Sequence, residues 1–425
     1  MLYSKSWLIV FALFVCAAAA LVQAETIAPS PELPPTMPWN LTKLSEAPKM
    51  EWLDDKSPVR SLLYTGEPFQ GKPTQVFAYY ATPATIADKP ADKGPWPAVV
   101  LVHGGGGTAF SQWVALWAKR GYAAIAMDLG GMQPDPAAAN NKKNVIRLEA
   151  GGPEQEHPAK FETIGTEDIT DDWPYHAVAN VILAHSLLRT MPGVDPQRTA
   201  LTGISWGGYT TCLVASLDNR FKAAVPVYGC GYLHDNSTWL GEFEKLRPEK
   251  SKRWVQLYDP SSYLPACRVP MFFVNGTNDF AYPLDSYMKC YHAVQHAPKN
   301  IRIQVKMPHG HEAGWAPPEI GAYIDSILLN KTPLPLLKLP TEKNGTIVSE
   351  LTSPELLSSA SFEYTTADGP INKLEWQSMP ATVSANKSPA LSASLPANVR
   401  LYFFTATTQA GLQVSSPVVI KRNGK

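Results

Sequence analysis

Four short stretches of the 425-residue chain carry residue types that can do chemistry together. The first is Leu201-Thr202-Gly203-Ile204-Ser205-Trp206-Gly207, an apolar and β-branched run entering a serine flanked by glycines two positions away on each side. A G-x-S-x-G turn bends a strand sharply into a helix and exposes the serine Oγ. Its glycines are needed because a Cβ there would strike the neighbouring backbone. The second is Asn275-Gly276-Thr277-Asn278-Asp279, an acid just past an apolar run, and the third is Pro308-His309-Gly310-His311-Glu312. Serine, acid and histidine then fall in the chain order Ser205, Asp279, histidine. That order fits a nucleophile, a general base and a carboxylate that orients the base. Two histidines compete for the base. His311 is favoured because it lies further into its loop and follows a flexible glycine, and His309 is the alternative. Asp279 is preferred over Asp285, which reads as a helix cap. The fourth stretch, His103-Gly104-Gly105-Gly106-Gly107, follows another apolar run. Its glycines let backbone N–H groups approach a substrate. The N–H of Gly105, or of its neighbours Gly104 and Gly106, is expected to form an oxyanion hole with that of Trp206. His103 is expected to anchor this loop, and a phosphate-loop reading fails for want of the lysine and serine that follow the glycines.

Strands must deliver these groups, and the pattern supplies them. Runs at 61–64 and 74–80 read as a hairpin around Gly66, Pro68 and Gly71. Residues 98–102 form an unbroken apolar run, as expected of a strand buried on both faces. Strands at 123–127, 199–202, 223–228, 271–274 and 301–307 then alternate with helices at 113–120, 173–189, 209–216 and 317–329, with Asp171 and Asp172 as cap candidates. Such alternation predicts an α/β fold with a mostly parallel sheet covered on both faces. Two segments interrupt it beyond strand ends, where open α/β sheets carry ligands. These are 133–166, rich in Pro, Gly, Asn and Glu, and the insert 233–260, whose Trp239, Trp254 and Tyr258 suit a lid. Trp239, Tyr282 and Trp315 are the candidate substrate-stacking aromatics.

At 333–340 three prolines mark a stiff linker between a catalytic domain at 59–332 and a Ser/Thr-rich domain at 341–425. Strands at 361–365, 374–376, 399–404 and 413–420 read there as a small β-sandwich of immunoglobulin or fibronectin III kind, with no catalytic constellation.

The first 24 residues read as a secretory signal. Lys5 starts it, an apolar run spans 7–21, and Val22-Gln23-Ala24 offers a cleavage site before a lead at 25–58 that opens on a Pro-rich stretch. The run is short of the roughly 20 residues a bilayer span needs, so stable membrane insertion after cleavage is not expected. A secreted or periplasmic location follows. There, Cys212, Cys230, Cys267 and Cys290 are open to disulfide pairing, Cys267 with Cys290 being one geometrically feasible pair. No Cys/His cluster has metal-ligand spacing, and no cofactor is expected. Lys+Arg and Asp+Glu both number 37, which leaves no basic field for nucleic acid.

His103 to Gly107, Asp172-Trp173-Pro174-Tyr175-His176, Gly203 to Gly208, Val227-Tyr228-Gly229-Cys230-Gly231 and Pro308 to His311 resemble secreted bacterial α/β-hydrolases of the acetylxylan esterase-like and dienelactone hydrolase-like group, relatives of the prolyl oligopeptidase catalytic domain. The resemblance implies a serine carboxylesterase acting on a small ester or an acetylated polysaccharide such as acetylxylan, with a serine peptidase as the alternative. The sequence departs from the peptidase relatives in showing no N-terminal β-propeller ahead of the hydrolase. It departs from true dienelactone hydrolases in having serine where they carry cysteine. Oligomeric state is not legible.

Overall fold

The computed structural model describes residues 32–87, 94–135, 144–156, 158–164, 168–384 and 389–421. The expected leader, with Cys16, lies outside the described residues, as do parts of the segment 133–166. Among the described residues no helix is long and apolar enough to cross a membrane.

Nine strands form one sheet: β1 (Met50–Asp54), β2 (Arg60–Phe69), β3 (Lys72–Ala81), β4 (Trp96–Val102), β5 (Ala123–Met127), β6 (Val194–Ile204), β7 (Ala223–Val227), β8 (Met271–Gly276) and β9 (Lys299–Gln304), in the order β1-β2-β3-β5-β4-β6-β7-β8-β9. The first three pair antiparallel, and from β5 to β9 every pairing is parallel. The apolar run of β4 is buried at all seven positions because its residues alternate between two cores. Val100 and Val102 face α2 (Trp173–Leu188) and α3 (Trp206–Leu217), whereas Val99 and Leu101 face α1 (Ser111–Lys119) and α4 (Pro318–Leu328). α2 is buried at all sixteen positions, so it has no polar face, and its cap candidate Asp172 serves tertiary structure instead. That carboxylate accepts the Tyr258 hydroxyl at 2.8 Å.

The C-terminal strands form two antiparallel sheets, one built on Thr346–Thr352 and Ala390–Ser394, the other on Leu357–Thr365 and Leu401–Thr408. Residues 374–376, expected as a strand, instead follow the 3-10 turn Ile371–Lys373. Nor does the linker separate independent bodies. Leu374, Leu401, Phe403 and Val418 join the core on one face of the nine-stranded sheet, and Ile347, Phe362 and Phe404 the core on the other, so the described residues from 32 onward form one compact unit. β9 would be an open edge, but Ser415 closes it: the Ile303 N–H donates to Ser415 Oγ at 2.9 Å, and the same hydroxyl donates to the Ile303 carbonyl at 3.2 Å. All four described cysteines are buried free thiols. Cys267 Sγ lies against Met271 Sδ while Cys290 Sγ accepts the Gly231 N–H, so the pairing envisaged between these two cysteines is not formed.

Candidate active site

Ser205 sits between β6 and α3 at φ 58° and ψ −118°, a strained conformation held by its N–H bond to the Val227 carbonyl at 2.9 Å. The flanking glycines are sterically required. A Cβ on Gly203 would fall onto the Gly207 carbonyl, and one on Gly207 onto that of Val102. Ser205 therefore stands at the C-terminal end of β6, next to the central strand β4, with the loops after β4, β7, β8 and β9 around it.

His309 bridges the other two groups. Its Nε2 lies 3.0 Å from Ser205 Oγ, and its Nδ1 lies 2.7 Å from Asp279 Oδ2. Asp279 is buried, and its second oxygen accepts the N–H groups of Ala281 and Tyr282 at 2.9 and 2.7 Å, which fixes the carboxylate plane. This corrects the expectation for the base loop: His309, not His311, stands between the serine and the acid. The reason is loop length. The chain needs only a few residues after β9 to return over the sheet, and the Gly310 carbonyl then accepts the Tyr228 hydroxyl, turning the next side chain away. Tyr228, whose ring centroid is 4.4 Å from that of His309, was not singled out from sequence. In the sequence it stood as the last residue of the strand read at 223–228 and within one of the stretches that carry the family resemblance.

His311 has a different partner. Its Nε2 accepts the Gly104 N–H at 3.0 Å, so its ring proton sits on Nδ1, and burial, helped by nearby His103, pulls its pKa down to about 4. The Gly104 N–H is thereby occupied, contrary to its place among the oxyanion donors. His103 anchors the glycine loop as expected. Its Nε2 accepts the Leu129 N–H at 2.9 Å, which leaves Nδ1 to donate to the Gly104 carbonyl at 2.8 Å. Gly105 packs against Trp206, and Gly106 takes the turn at φ 67°.

The aromatics divide into three groups. Trp206, Trp239 and Tyr282 are buried in a continuous run, with centroids 4.6 Å apart for the first pair and 5.0 Å for the second. Tyr282 also lies parallel to His309 at 6.5 Å, with its buried hydroxyl beside Ser205. Lys160, buried, sits 5.0 Å over the rings of both Trp173 and Trp206, and burial lowers its pKa to about 8. Trp315 stands apart, packed on Phe110 and Trp113. Phe280, which sequence reasoning passed over, is 57% exposed with its centroid 4.9 Å from that of His309.

Two family profiles match this region: acetyl xylan esterase (AXE1) over residues 61–238 and the prolyl oligopeptidase family over residues 166–323. The chain has the α/β-hydrolase fold and resembles both of these families in sequence. The hydrolase is 23% identical over 206 residues to acetyl esterase Axe7A of Xylanibacter ruminicola, an alignment covering 46% of this chain and 45% of that one. It is 22% identical over 333 residues to the human acylamino-acid-releasing enzyme, covering 72% of this chain and 42% of that one. The hydrolase thus spans less than half the length of these curated relatives. Among solved structures, the acetyl xylan esterase from Paenibacillus sp. R4 superposes with a TM-score of 0.53 at 20% identity, covering 68% of this chain and 92% of that one, which is a likeness of fold.

Proposed function

We propose that this hydrolase is a secreted or periplasmic serine carboxylesterase that removes small acyl groups, acetyl foremost, from a ring-bearing alcohol such as a polysaccharide sugar. The Ser205–His309–Asp279 relay carries the reading. In this cycle His309 takes the Ser205 proton as Oγ attacks the ester carbonyl, and Asp279 holds the imidazole in the required tautomer. The N–H groups of Trp206 and Gly105 receive the oxyanion, since His311 engages that of Gly104. His309 then protonates the departing alcohol, and water releases the acid from the acyl-enzyme.

Asymmetry around Ser205 supports the substrate class. The buried rings of Trp206, Trp239 and Tyr282 leave little room on their side, which suits an acetyl group. The leaving alcohol must lie beside His309, and there Phe280 offers an exposed ring face on which a sugar or aryl ring can stack. The name of the Xylanibacter relative, an acetyl esterase, points the same way. The match to the prolyl oligopeptidase family favours a peptidase as the second reading. Assays on p-nitrophenyl acetate, acetylated xylan and a chromogenic peptide separate the two. We expect ester turnover that vanishes in Ser205→Ala, and peptide cleavage without ester turnover would reject the esterase.

A further inference from the structure

The loops that carry Asp279 and His309 share an anchor outside the hydrolase core. Asn278, adjacent to the acid, donates through Nδ2 to the carbonyls of Leu374 at 3.0 Å and Asn372 at 3.2 Å, both on the turn between two strands of the C-terminal sandwich. Its Oδ1 accepts the Thr277 hydroxyl at 2.6 Å, and that hydroxyl accepts the Lys306 N–H at 3.0 Å. Lys306 leads β9 into the loop of His309, at φ 54°, and its ammonium pairs with Glu375 at 2.9 Å. The anchor is itself firm: Leu374 is buried in the core that runs under both halves of the molecule.

We infer that the C-terminal sandwich belongs to the catalytic apparatus, its 371–375 turn fixing the separation of the acid and base loops through the positioning residues Asn278 and Thr277. A side-chain amide bonded to two carbonyls and a hydroxyl holds one orientation. Without it the Leu374 and Asn372 carbonyls lose a partner, and Thr277 stays coupled to the sandwich only indirectly among the described residues, through Lys306 and its exposed pair with Glu375 and through the strand edge at Gln304. The loops carrying Asp279 and His309 would then drift relative to each other, and small misplacements of catalytic groups are costly in rate. The exposed Lys306–Glu375 pair contributes little by comparison.

The inference rests on the Ser205–His309–Asp279 relay proposed above, so the test reads the relay directly as well as turnover. In the full chain, Asn278→Leu and Thr277→Val are compared with Asn278→Gln and Thr277→Ser. Two rates are measured: kcat and KM on p-nitrophenyl acetate, and covalent labelling of Ser205 by a fluorophosphonate. We expect Asn278→Leu and Thr277→Val to lose roughly ten-fold in kcat and in labelling rate with KM within two-fold, and the Gln and Ser variants to recover most of it. Unchanged kcat and labelling in folded Asn278→Leu or Thr277→Val overturn the inference. So does a loss that merely tracks the folded fraction seen by circular dichroism. If Asn278→Leu does not fold, Thr277→Val decides. Wild-type protein that labels at Ser205 without turning over esters would reject the substrate reading while leaving this comparison readable.

Discussion

Two histidines two residues apart have opposite duties, and their hydrogen bonds separate them. His309 faces Ser205 and Asp279, whereas His311 presents a lone pair to Gly104. His309→Ala is expected to cost at least about a thousand-fold in kcat, as loss of a base does in such relays. His311→Ala should cost far less, on the order of ten-fold, through a loosened glycine loop. Steady-state kinetics on both variants check this, and equal losses would contradict it. The second consequence concerns acid. Burial pulls both His311 and His176 down to about 4 from an ordinary 6.5. Between those values the unfolded chain binds protons that the folded one refuses, so stability falls as pH drops from 6.5 toward 4. Each group contributes a slope of up to about 1.4 kcal/mol per pH unit. Urea titrations from pH 7 to 4.5 should show the decline, and a flat profile to pH 5 would refute it.

At the scale of elements, the lid expected of the insert becomes two helices, Leu240–Lys245 and Pro248–Tyr258, that bring Trp239 and Trp254 over the elbow. Phe161 joins them, its centroid 5.2 Å from that of Trp254 and 6.0 Å from that of Trp206. If this wall sets acyl size, Trp239→Leu should raise the butyrate-to-acetate ratio of kcat/KM several-fold, measured on the p-nitrophenyl esters. A fall in both without a change of ratio would count against the wall. Most elements could be read in advance, because apolar runs such as 98–102 and 123–127 have one physical reading between turn residues. The elbow was equally legible, since its glycines answer a steric need that a five-residue window contains. The choice of base was not. It turns on the Tyr228 hydroxyl meeting a carbonyl 82 residues away, a contact that no local spacing encodes. Phe280 was missed for a related reason: an aromatic next to an acid reads as core until its exposure is known.

Over the whole molecule, the two halves are joined at the sheet edge and at the acid loop as well as along the proline linker, whose Leu334 and Leu337 are buried in the shared core and whose Pro335 carbonyl accepts the Asn300 side-chain amide at 2.8 Å. Ser415 satisfies both backbone groups of Ile303, and Gln413 donates its N–H to Glu319 at 2.8 Å. Ser415→Ala should destabilise the full chain by about 1–3 kcal/mol, because it strands two buried groups rather than one. Chemical denaturation measures this, and a change within error would place the strength of the junction elsewhere. The junction also bears on how such an enzyme can be rebuilt. A hydrolase whose acid loop leans on another fold is not a cassette. Transplanted alone, or fused to a foreign binding module, it would keep its serine, histidine and aspartate and still arrive with one wall of its workshop missing. Any recombination that succeeds must bring a surrogate for the Asn372 and Leu374 carbonyls along with the nucleophile.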